Sequence, residues 1–108
     1  MARIGDTTLF GVSRTVYKFG VFNPNSVFKD RVAAVYVFSA TNDKGQHKPI
    51  YVGETDKLGI DIPRQKALPV IRGRGAAHLC VHLDDDEMSR RAKMSDLIAY
   101  YKPPGNLE

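Results

Sequence analysis

The fold turns on the stretch AAVYVFSATNDKGQHKPIYVG, Ala33–Gly53. Two apolar, β-prone runs, Ala33–Ala40 and Pro49–Gly53, flank the polar segment TNDKGQHK, which carries turn chemistry at Asp43–Gly45. Aromatic and β-branched runs separated by such a segment predict a hairpin over 33–53. Its two strands each hold a tyrosine, Tyr36 and Tyr51, and the second ends on Gly53.

Upstream, Thr15–Phe22 reads as another strand, with Tyr17, Phe19 and Val21 on one side and Val16, Lys18, Gly20 and Phe22 on the other. Asn23–Ser26, NPNS, is a turn. Downstream, Thr55–Leu68 is weakly helical, but Gly59 and Pro63 oppose one continuous helix. A short turn followed by a helix begun at Pro63 is expected, because proline is tolerated in a first turn. Pro69 should then end or kink that helix, and Arg72–Gly75, RGRG, should be a loop.

Ala77–Leu83 is expected to be a strand, with Leu79, Val81 and Leu83 on its apolar side and His78, Cys80 and His82 on a partly exposed polar side. The final element opens with acids suited to a helix N-terminus, and Asp84 with Glu87 has capping-box spacing. Met94, Leu97, Ile98 and Tyr101 then form one apolar face, and Pro103–Pro104 closes the helix. Strands, helix, strand and helix in this order make an α+β domain with a small mixed or antiparallel sheet.

With 108 residues, 43% apolar and 26% charged, the chain has the size and composition of one soluble globular domain. No run approaches a membrane span. The opening MARIGDTTLF has no apolar signal core, so a cytoplasmic location is expected. The one cysteine, Cys80, allows no internal disulfide. Net charge is +4, and Arg64, Lys66, Arg72 and Arg74 fall within eleven residues that contain no acid. Arg90, Arg91 and Lys93 form a second basic group. Such clustering favours a polyanion partner through counterion release.

Several patterns carry less chemistry than their residue types suggest. His78, Cys80 and His82 alternate along one strand, where neighbours on a face lie about 6.6–7 Å apart, so they cannot readily converge on one ion. They read as sheet polar residues, with a histidine close to a functional surface. GRG at 73–75 is too short for a phosphate-binding glycine fingerprint. Asp84–Glu87 offsets the helix dipole rather than marking a cation site.

AVY at 34–36 and YVG at 51–53, joined by a hairpin loop, resemble the paired motif that names the GIY-YIG nuclease domain. DLIAYYKPPGN at Asp96–Asn106 is similar to that family's closing helix, proline and terminal asparagine. The resemblance covers roughly Ala33 to Asn106. It implies a central three-stranded antiparallel sheet flanked by helices. Residues 33–108 would be the GIY-YIG-like domain and residues 1–32 an N-terminal extension with an added strand or hairpin, within one compact domain.

The family cuts a phosphodiester with one divalent ion, normally Mg²⁺. A tyrosine or activated water starts the attack, an arginine on the first helix stabilises phosphate charge, and a glutamate on the later helix holds the metal. By resemblance, Tyr36, Tyr51, Gly53 and Asn106 occupy catalytic positions. The arginine position, about eight residues after the YIG glycine, is Asp61 here, and Arg64 could substitute if GIDIP shifts the register. The glutamate position, nine residues before the closing proline, is Met94. A thioether does not bind the hard Mg²⁺ ion. Asp96 and Glu87 are both poorly placed replacements.

The leading expectation is therefore a GIY-YIG-like domain that binds nucleic acid, DNA rather than RNA, with cleavage lost or weakened. Arg64, Lys66, Arg72, Arg74 and His78 would make the contacts, and no metal site is assigned. Two alternatives stay open: an active Mg²⁺-dependent endonuclease using Arg64, and a non-catalytic interaction domain.

Overall fold

The computed structural model describes residues 3–107. Its element order is β1 (Arg3–Phe10), β2 (Val16–Phe22), β3 (Ala34–Thr41), β4 (His47–Thr55), α1 (Leu58–Lys66), α2 (Pro69–Arg72), β5 (His78–Leu83), α3 (Glu87–Tyr101) and α4 (Pro104–Leu107). The hairpin expected at 33–53 is present as β3 and β4, with Tyr36 opposite Gly53 and Phe38 opposite Tyr51. A bulge lies between Phe38 and Ser39.

The strands form a single antiparallel sheet in the order β1-β2-β5-β3-β4. Five strands rather than three share it. The N-terminal segment adds a whole hairpin, because β2 hydrogen-bonds to β5 through Gly20–Phe22. β3 is an interior strand, between β5 and β4, and is buried along most of its length, which explains its unbroken apolar run.

Helices cover both faces. On one, Ala34, Tyr36 and Phe38 of β3 and Leu79 and Val81 of β5 pack with Leu58 and Ile62 of α1 and Ile71 of α2. On the other, Val35, Val37, Val52, Cys80, Phe19, Val21 and Leu9 pack beneath Leu97 of α3. Met94, Ile98 and Tyr101 extend that contact, so the stripe read from the sequence is the core-facing side of α3. Tyr17, Phe19 and Val21 share this face, as the alternation in Thr15–Phe22 predicts.

Four local expectations are corrected. α1 begins at Leu58, not Pro63, and Pro63 lies inside it. The β2–β3 connection holds the start of the helix: Leu58 and Gly59 donate their N–H groups to the carbonyls of Val32 and Lys29. Gly59 is needed there, since a methyl group would overlap the carbonyls of Phe28 and Lys29. Pro69 does not only end α1; it opens the short α2, which takes in Arg72, so the loop expected at 72–75 starts later. The N-cap of α3 is Asp86, which accepts from Ser89 N, while Asp84 accepts from Asp86 N and Ser89 Oγ. Finally, β5 presents the expected two faces, Leu79 and Val81 on one and Cys80 on the other, but Cys80 is fully buried and Leu83 is 71% exposed, the reverse of the exposure expected at those two positions. Leu97 of α3 covers Cys80, while Leu83, on the opposite face, lies outside the cluster that α1 and α2 cover.

The N-terminal hairpin is also pinned at its turn. Asp96 of α3 lies over Gly11, where any side chain would overlap its carboxylate. That carboxylate accepts from Ser13 N at 2.9 Å, Ser13 Oγ at 2.6 Å and the Tyr17 hydroxyl at 2.6 Å. Asp96 therefore fastens β1–β2 to α3.

Candidate nucleic-acid site

Tyr36 lies on the α1 face of the sheet and is 3% exposed. Its ring rests on Gly53, where even a methyl group would overlap it. The Tyr51 ring stands 6.2 Å away and is half-buried against the same core. The glycine is thus required by the tyrosine: it lets an aromatic ring lie flat on the neighbouring strand. Burial, followed by the nearby Tyr51 and Asp61, pushes the Tyr36 phenol well above its ordinary value of 10. A phenol in this setting stays protonated at neutral pH, whereas base or nucleophile chemistry needs it deprotonated.

The two positions that depart from the family pattern have structural partners. Thr55 Oγ1 donates to Asp61 Oδ2 at 2.5 Å and accepts from Lys57 N at 2.9 Å, organising the turn into α1. α1 is continuous from Leu58 to Lys66, so no irregularity shifts the register. Arg64 stands one turn beyond Asp61, about 4.5 Å along the axis, and is exposed. Met94 packs against the core on the α3 face.

Between β4 and α3, close to these residues, lies an ion-pair network that the sequence reading did not find. Arg90 is 4% exposed, and its Nε donates to Glu54 Oε1 at 2.9 Å while Nη1 donates to the Asp84 carbonyl at 3.1 Å. Arg91 reaches Glu54 at 3.8 Å and Glu87 at 2.7 Å. A recess of about 250 Å³ is lined by these groups with Asp56, Lys57 and Asp61. The residues do not fit Mg²⁺. Glu54 is held by two guanidiniums, Glu87 by one and Asp61 by a hydroxyl, while Mg²⁺ requires oxygen ligands in near-octahedral array. Among the described residues, no three His, Cys, Asp or Glu side chains are grouped to hold a metal ion.

Of the basic residues singled out above, Lys66 and Arg72 come together. They border a cleft of about 390 Å³ with Phe38 and Ile71 at its base and the Asn23–Asn25 turn on its far wall. Lys66 Nζ donates to Asn25 Oδ1 at 3.0 Å. Arg64 and Arg74 are exposed but do not line this cleft. His78 is on the opposite face, its ring edge-on to His47 at 5.2 Å, so the sheet separates it from the arginines. The second basic group is consumed by pairing: Arg90 and Arg91 as above, and Lys93 with Asp84 at 2.8 Å and His82 Nε2 at 2.9 Å.

Asn106, in α4, seals the edge of the sheet. Its Oδ1 accepts from Val52 N and its Nδ2 donates to Val52 O, both at 2.8 Å. This reproduces the hydrogen bonds of one further strand residue on the free edge of β4. The terminal asparagine and the YVG triplet are thus in direct contact, through backbone rather than through the tyrosines.

On the α3 face, Ser39, His47, Cys80 and His78 cluster. Ser39 Oγ is 2.8 Å from His47 Nδ1 and 3.8 Å from Cys80 Sγ. Burial pushes the Cys80 thiol up to about 11, against the opposing Ser39 hydrogen bond, leaving it protonated and inert. His82 turns away to the Lys18 carbonyl, so the three ligand-type residues of β5 do not converge.

Comparison with known protein families, with characterised proteins and with solved structures gives no match to this chain.

Proposed function

We propose that this chain is a GIY-YIG-like domain that binds nucleic acid without cutting it. Tyr36, Tyr51, Gly53 and Asn106 stand at the motif positions, and β5-β3-β4 with α1 and α3 on opposite faces is compatible with the family's sheet and helices. The observation that carries the reading is the commitment of both departing residues: Met94 to the core, and Asp61 to the Thr55 hydroxyl. With Tyr36 buried and its phenol raised, three parts of the cleavage machinery have become structural. The Lys66–Arg72 cleft and the net charge of +4 support a phosphate backbone as partner, DNA before RNA.

The test is fluorescence anisotropy with labelled duplex DNA and an RNA hairpin between 50 and 200 mM salt, beside a Mg²⁺-dependent cleavage assay. DNA affinity should fall steeply with salt, and Lys66→Glu/Arg72→Glu should weaken it across sequences and lower the salt slope by about 2. No Mg²⁺-dependent cutting is expected. Cutting that Tyr51→Phe abolishes would replace this reading with that of an active enzyme. A second reading, an interaction domain with no nucleic-acid partner, is favoured by the burial of Tyr36. It predicts no affinity for either nucleic acid at any salt.

A further inference from the structure

The sheet opens at the junction of β2 and β5, away from the tyrosines. These strands pair only through Gly20–Phe22 and Leu79–Val81. Beyond them His82 takes the place of the ladder: its Nδ1 donates to the Lys18 carbonyl at 2.8 Å and its Nε2 accepts from Lys93 Nζ at 2.9 Å. On the α1 face of this junction, where the helical layer gives way to the bare N-terminal hairpin, lies a half-open cavity of about 460 Å³. That volume is within the range of small-molecule sites.

Its walls are hydrocarbon. Phe22 and Phe28 meet edge-to-face at 5.3 Å, and Val32, Leu58, Val81 and Leu83 extend the apolar lining. Its rim is cationic. Arg3, Lys18 and Lys29 border the opening, and among the described residues no acidic side chain lines it. Gly20 permits this arrangement, because the Arg3 side chain lies across the space that a Cβ there would need. Arg3 is shared with Asp6 in an exposed ion pair, whereas Lys18 and Lys29 make no side-chain hydrogen bond or ion pair among the described residues.

We propose that this cavity binds a small organic anion with an apolar body, such as a medium-chain carboxylate. The body enters between Phe22, Phe28 and Val32, and the head group meets Lys18, Lys29 and Arg3. A nucleotide base fits the lining poorly. Both nitrogens of His82 are already engaged, and the side chains of Phe22, Phe28, Val32, Leu58, Val81 and Leu83 carry no group to pair with the donors and acceptors of a base edge. The site is separate from the Lys66–Arg72 cleft and does not depend on the nucleic-acid reading.

The experiment uses the full chain and the fluorescent anion 8-anilinonaphthalene-1-sulfonate, with uncharged N-phenyl-1-naphthylamine as control. One equivalent of the anion should bind with a blue shift, and decanoate should displace it. Lys18→Glu/Lys29→Glu, at two exposed positions, should weaken the anion about tenfold and leave the neutral dye unchanged. Val32→Trp, which fills the cavity, should remove both dyes while far-UV circular dichroism stays native. Unaltered anion affinity in the charge-reversed variant, or a stoichiometry well above one, overturns the proposal. Displacement by a short single-stranded oligonucleotide but not by decanoate overturns it as well, in favour of a strand nucleotide.

Discussion

Removing the Glu54 carboxylate should destabilise the protein far more than removing its arginine partner as well. Arg90 is 4% exposed and its side chain has two partners, Glu54 and the Asp84 carbonyl. Glu54→Ala leaves the guanidinium buried with one neutral acceptor. Stranding a buried charge costs about 3–5 kcal/mol. Glu54 is itself 18% exposed, so water can enter beside the orphan, and the lower end, about 3 kcal/mol, is expected. The Arg91 contact at 3.8 Å adds little, because Arg91 is 65% exposed and keeps Glu87. In a domain of this size such a loss lowers Tm by about 12–24 °C. Glu54→Leu/Arg90→Met instead removes both charges and their desolvation together, and should fall within about 1 kcal/mol of the parent. Urea denaturation followed by far-UV circular dichroism measures both, and a double-mutant cycle isolates the coupling. If Glu54→Ala costs under about 1 kcal/mol, or if the double variant is as unstable as it is, Arg90 is not held as a buried, paired charge and the reasoning fails.

The other expectations concern the tyrosine pair, the sheet edge and pH. Gly53→Ala should cost about 1–3 kcal/mol by forcing the Tyr36 ring off its strand, and Tyr36→Leu in the same chain should recover part of it; equal penalties with and without the ring would remove the steric explanation. Asn106→Ala should cost about 2 kcal/mol for two hydrogen bonds to the β4 edge and speed hydrogen exchange at the Val52 amide, so an unchanged exchange rate would exclude the sealing role. His47 is held below its ordinary value of 6.5 by burial and then by His78. The unfolded chain therefore binds the proton more readily than the folded one. The contribution is fully present above about pH 6.5 and is lost as pH falls through the folded value. Thermal melts from pH 8 to 5 should show a steeper decline for the parent than for His47→Gln, and parallel curves would refute it.

Elements built on strong local patterns were legible in the sequence. The aromatic face of Thr15–Phe22 and the apolar stripe Met94–Tyr101 follow from periodicity, because each buries one side, and the 33–53 hairpin follows from two apolar runs around turn residues, β3 being buried on both faces. What failed were features decided by partners distant in the chain. Gly59 and Pro63 argue against a helix locally, yet α1 forms, and the carbonyls of Lys29 and Val32 receive its first N–H groups. Cys80 reads as one of three polar residues on a partly exposed sheet face, but Leu97 of α3 and the neighbouring strands bury it completely. Asp84 matches a capping box, yet Asp86 is the cap and Asp84 takes Lys93.

The same division runs through the candidate site. The positions of Tyr36, Tyr51, Gly53 and Asn106 are legible in the chain order, as is the presence of Asp61 and Met94 where the resemblance implies a cation and a carboxylate. Which charges remain available was decided only by the tertiary structure. Arg90, Arg91 and Lys93 look like a basic patch in one dimension and are neutralised in three, because β4 brings Glu54 beside α3 and the β5–α3 turn brings Asp84 to Lys93. Lys66 and Arg72 meet at one cleft while His78 faces away, because strand parity sends it through the sheet. The physical reason is that periodicity records which side of an element is buried. The Arg91–Glu87 pair is local, at i,i+4, but Arg90 takes Glu54 from a segment 36 residues away, and no local pattern encodes that contact.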